Sequence, residues 1–85
     1  MATLITVEGV EEMGKVPTFK ECYGLVGCRL LEVVYLGDGA VMLVDEEGLC
    51  CDAPVLNPVA TMFAGHPIVG KAVLLDKREA KKVLG

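Results

Sequence analysis

Two β-branched, apolar runs, Cys28 to Leu36 and Ala40 to Asp45, flank Gly37-Asp38-Gly39, and no other feature restricts the fold of this chain as much. The glycines supply the positive φ that a tight turn needs, so the runs are expected to pair as a β-hairpin. In Cys28–Leu36 one face carries Cys28, Leu30, Val34 and Leu36, broken by Glu32, and the other carries Leu31, Val33 and Tyr35 beside Arg29. Strands apolar on both faces read as central members of a sheet.

The remaining elements follow from local signals. Thr3 to Glu8 alternates and is β-branched, so it reads as a first strand that stops at Gly9. Thr18 followed by Glu21 forms a capping box, which starts a short helix ending at Gly24 or Gly27. A turn at Glu46-Glu47-Gly48 leads to a short strand at Leu49 to Asp52. Asn57-Pro58 starts a second helix that runs to Gly65, with Asn as cap and Pro at the first helical position. His66-Pro67 enforces extended backbone, and Ile68 to Leu75 is the last strand. Asp76 with Glu79 caps a basic tail or short helix at 76–85. The fold class is therefore α+β: a mostly antiparallel sheet of 4–5 strands with two short helices on one face, in the order β-α-β-β-(β)-α-β plus the C-terminal helix.

Eighty-five residues form a single domain, 1–85, because a chain of this size buries only roughly 60% of its unfolded surface and has no material for a second core. No stretch approaches the roughly 18 apolar residues of a membrane span. Met1-Ala2-Thr3-Leu4 lacks the basic start of a secretory signal, so the four cysteines are expected to be reduced, in a cytoplasm. Net charge is −4, but residues 1–70 hold three basic against ten acidic side chains, and residues 71–85 hold five against two. An acidic body repels phosphate backbones, which disfavours nucleic acid as a partner.

The inventory holds no Ser, no Gln, no Trp and a single His, so a Ser-His-Asp triad cannot be assembled and the chain is expected not to be an enzyme. Cys22, Cys28, Cys50 and Cys51 do not form paired C-x-x-C knuckles, so neither a metal nor another cofactor is expected. His66 reads as a turn residue before Pro67. Asp38, Asp45, Glu46, Glu47 and Asp52 form an acidic series suited to docking on a basic partner, although a solvated turn also produces such a run. Helix N-terminal amides with Arg29, Asn57, His66 and Lys71 could instead hold an anion.

The segments Leu25-Val26-Gly27, Leu31 to Gly39, Asp45-Glu46-Glu47-Gly48, Leu56 to Ala60 and Pro67 to Gly70 resemble a small, uncharacterised domain family associated with bacteriophages. The similarity covers roughly residues 20–75. The resemblance implies a phage accessory protein made in the host cytoplasm and assigns no functional residues. With helices enough to cover one sheet face, the other face needs a cover, so a homo-oligomer, most simply a dimer, is expected. The expected function is a non-enzymatic protein that binds and modulates a host or anti-phage defence factor. The alternative is an oligomeric sponge that sequesters a nucleotide-like signal in an inter-subunit pocket.

Overall fold

Helix caps and hairpin turns define the architecture, and nearly all of them lie at the expected residues. The computed structural model describes residues 2–48 and 55–85. Its strands are β1 (Thr3–Thr6), β2 (Gly9–Glu12), β3 (Leu31–Tyr35), β4 (Val41–Asp45) and β5 (Ala72–Leu75); its helices are α1 (Phe19–Val26), α2 (Pro58–Ala64) and α3 (Lys77–Leu84). All pairings are antiparallel, in the order β2-β1-β5-β4-β3. The α+β class and the five-stranded antiparallel sheet are as expected.

The hairpin closes through one 3₁₀ turn at Gly37–Gly39, in which Asp38 adopts φ 66°. Gly39 is required twice over, by its φ of 82° and by the Lys77 side chain, whose Cγ would lie 2.8 Å from a Cβ there. That approach fastens the turn to the start of α3.

Thr18 caps α1: its Oγ1 accepts from the Glu21 N–H (3.1 Å), while its own N–H donates to Glu21 Oε1 (2.9 Å). Asp76 and Glu79 repeat the box on α3, at 2.8 and 3.0 Å. The Thr18 amide, helped by the Lys15 charge, holds the Glu21 carboxyl below its ordinary range. A depressed carboxylate stabilises the fold above its unfolded pKa, and that contribution disappears as pH falls through the folded value. Glu21→Gln is therefore expected to lower the urea midpoint at neutral pH and to leave it unchanged in strong acid. Thr18→Ala should cost about 1 kcal/mol at neutral pH.

Three elements differ from expectation, the last strand among them: expected from Ile68, it begins only at Ala72. The first strand does not simply end at Gly9: the chain turns there and returns as β2, whose Val10, Glu11 and Glu12 pair with Ile5, Leu4 and Thr3. The hairpin strand β3, expected to be central, forms a border of the sheet. The strand expected at Leu49 to Asp52 lies outside the described residues.

The sheet is roofed on both sides. Cys22 and Val26 of α1 and Ala80 of α3 pack on one face against Val41, Leu43, Val73 and Leu75. Ala60 of α2 packs on the opposite face against Ile5, Met42, Val44 and Ala72, with Ile68 closing the side. The two helices that share a face are therefore α1 and α3, not the first two in the chain. Periodicity defines a helix's apolar stripe but not which side of the sheet its connections reach, so the face each helix takes is not legible from the sequence. This placement removes the premise for self-association, an entirely bare second face. What stays open is the part of that face around Leu36 and Leu74, which are half-buried.

Candidate functional site

A concavity lies at the hairpin end of the α2 face. It is a groove of about 520 Å³ whose apolar walls are Leu36 from the end of β3, Leu74 from β5 and Phe63 from α2. Thr3 contributes to its floor, and Asp38 and Asp76 bring carboxylates to its lining. Register explains the arrangement. Thr3 lies opposite Leu74, and Leu74 opposite Met42, so these side chains share one face. Beyond the reach of the seven-residue α2 this row loses its cover. Met62 and Phe63 are adjacent on a helix one side of which is engaged by Ala60, and both are exposed.

A smaller cleft of about 220 Å³ lies at the other end of β4, between Glu32, Asp45, Glu46 and His66. Asp45 is not free to bind a partner with both oxygens, because its Oδ1 accepts from the Glu47 N–H at 2.8 Å. Glu47 in turn receives the Arg29 guanidinium at 3.2 and 3.3 Å.

The expected acidic series is thus divided. Asp38 sits at the hairpin tip, while Asp45, Glu46 and Glu47 sit at the far end of β4, roughly 17 Å away along five strand residues. Asp52 lies outside the described residues. The expected anion set is not arranged for an anion either. Asn57 is fully buried, and its Oδ1 accepts from the Ala60 N–H (3.0 Å) while its Nδ2 donates to the carbonyls of Gly70 (2.7 Å) and Ile5 (3.1 Å). Arg29 is engaged with Glu47, His66 shares its cleft with three acidic residues, and Lys71 is an exposed residue just before β5. Carboxylates around His66 oppose a phosphate by direct repulsion.

Cys22 is buried and Cys28 half-buried, both as free thiols. Burial raises the pKa of both, chiefly by desolvating the thiolate; the Glu21 charge adds to this at Cys22, and Asp45 and Glu47 add to it at Cys28. Both are therefore protonated and weakly nucleophilic at neutral pH. Iodoacetamide is expected to alkylate them at least about tenfold more slowly in the native protein than in urea, with Cys22 the slower, as peptide mapping would show. Because the folded state holds these protons more tightly, their contribution to stability is complete below the ordinary thiol value of about 8.5 and is lost as pH rises through the folded pKa. Cys50 and Cys51 lie outside the described residues. Among the described residues no three His, Cys, Asp or Glu side chains group to hold a metal ion, and no helix is long and apolar enough to cross a membrane.

Leu36, Phe63, Leu74 and Asp76 are absent from the expected site residues. One signal for Phe63 existed in the sequence: adjacent large apolar residues near the end of a short helix cannot both face its core. Leu36 and Leu74 meet only through pairing across β4, which the sequence does not display.

The family model described as Domain of unknown function (DUF3846) matches residues 2–83. No curated protein and no solved structure matches the chain.

Proposed function

The chain belongs to the DUF3846 family, a domain of unknown function, and we propose that it is a non-enzymatic bacteriophage accessory protein that binds and modulates a host or anti-phage defence factor. The observation that carries the binding role is the groove between Leu36, Phe63 and Leu74 with Asp38 and Asp76 in its lining. Apolar walls with nearby acidic groups fit a partner segment that presents an apolar anchor beside Lys or Arg. The phage origin is supported by the resemblance of residues 20–75 described above. The proposed setting is the host cytoplasm, where thiols such as Cys22 and Cys28 persist in reduced form.

Parallel affinity purifications from host lysate with the wild type and with Phe63→Asp test the proposal. Phe63 is exposed, so the substitution leaves the core intact. The expected result is a protein retained by the wild type and lost with the variant. Identical profiles from both, or repeated failure of the wild type to retain anything, would overturn it.

A further inference from the structure

The two borders of the sheet are guarded unequally. β2 is four residues long and two of them are glutamates, the shortness and charge by which natural sheets discourage strand addition. On the opposite border, β3 (Leu-Glu-Val-Val-Tyr) has Glu32 as its only charge. At its two ends Leu30 is 47% and Tyr35 79% exposed.

Hydrogen-bond phase shows which backbone groups on this border face outward. The Leu36 N–H donates to the Ala40 carbonyl, and the Glu46 N–H to the Leu30 carbonyl. With the register Glu32↔Val44 and Val34↔Met42, residues 30, 32, 34 and 36 turn their polar groups toward β4. Leu31, Val33 and Tyr35 turn theirs outward, and among the described residues no strand pairs with them.

We infer that β3 pairs antiparallel with β3 of a second copy about a two-fold axis at Val33, extending the sheet across both copies. The border is self-complementary in this register. Leu31 meets Tyr35 of the second copy, Val33 meets Val33, and every outward N–H and C=O finds a partner; sliding by two residues in either direction strands one of the three. The same register covers both exposed ends of the strand. Tyr35 lies over Leu31 on one face, and Leu30 lies opposite Leu36 on the other. Glu32 faces Val34, which keeps the two Glu32 carboxylates diagonal to each other and not directly opposed. Arg29 comes alongside the Gly37–Gly39 turn of the second copy, where Asp38 supplies the opposite charge. Isologous strand addition of this kind needs no rearrangement of either protomer. Leu36 and Asp38 border both this interface and the groove on the α2 face, but Phe63 and Leu74 belong to the groove alone, so loss of partner retention in Phe63→Asp and loss of the dimer in Tyr35→Lys are separate outcomes.

Sedimentation equilibrium and amide hydrogen exchange on the full chain test it together. The expected mass is twice 9.0 kDa at high concentration, falling toward 9.0 kDa on dilution. The Leu31, Val33 and Tyr35 amides should gain protection with that same concentration dependence, while Glu32 and Val34, bonded to β4, stay protected throughout. Tyr35→Lys should raise the dissociation constant roughly tenfold by removing two cross-strand pairs and adding border charge. Val33→Pro should abolish the dimer, since that N–H pairs with no strand among the described residues. A 9.0 kDa species at every concentration overturns the inference. So does a dimer in which those three amides exchange at the same rate regardless of concentration.

Discussion

Asn57→Ala is expected to remove about 3–5 kcal/mol of stability, a large share of the roughly 4–13 kcal/mol available to a chain this long. The side chain does three things at once from a fully buried position. Its oxygen caps α2 at the Ala60 amide, a role worth about 1 kcal/mol. Its amide nitrogen joins the Ile5 carbonyl on β1 to the Gly70 carbonyl ahead of β5, and deleting it takes one hydrogen bond from each acceptor, about 1–1.5 kcal/mol apiece, and leaves a void in the core. Asn57→Asp separates the roles: the cap survives, but a buried carboxylate then faces two carbonyl oxygens. It should therefore be at least as damaging at neutral pH as the alanine variant. Urea unfolding of both proteins checks this, and a loss below about 1 kcal/mol for Asn57→Ala would show that the amide contacts contribute nothing.

Met42→Ala should cost about 2–5 kcal/mol, as much as Leu43→Ala on the neighbouring residue. The two side chains leave β4 on opposite faces, and both are fully buried. Leu43 lies under α1 and α3. Met42 is enclosed with Ile5, Val44 and Ala72 beneath Ala60 of α2, so a cavity there is as costly as one on the other side. Thermal unfolding at low protein concentration, where any assembly has dissociated, gives the decisive comparison. A Met42→Ala loss much smaller than that of Leu43→Ala would mean that α2 does not seal its face in the isolated protomer.

What the sequence discloses here is local, and what it conceals is the meeting of distant residues. Thr18, Asp76 and Asn57 announce their helices because a cap acts within three residues. Gly27 and Gly65 announce where helices end because both stand at φ 78°, where a side chain would be strained. β2 is harder to see: Gly9-Val10-Glu11-Glu12 offers one apolar residue and consecutive carboxylates, the pattern of a solvated turn, and it is a strand only because β1 lies beside it. The border position of β3 is hidden for the converse reason, since its composition suits a strand with neighbours on both sides. Asn57 reads correctly as a cap, yet nothing in the sequence shows that its amide reaches Ile5, 52 residues earlier. The groove shares this difficulty, because Leu36, Phe63 and Leu74 come from three elements that only the completed sheet brings together.

The central position of β5 has a consequence for biosynthesis. β1 pairs with β2 and β3 with β4 as sequence neighbours, and β5 alone joins the two halves, through Ala72, Val73 and Leu74 on one side and Val73, Leu74 and Leu75 on the other. A nascent chain still held in the ribosome short of residue 75 has two hairpins and no sheet to unite them. Cooperative folding therefore waits until β5 has emerged, and the last contacts to form are also those of greatest sequence separation, which makes them the slow step.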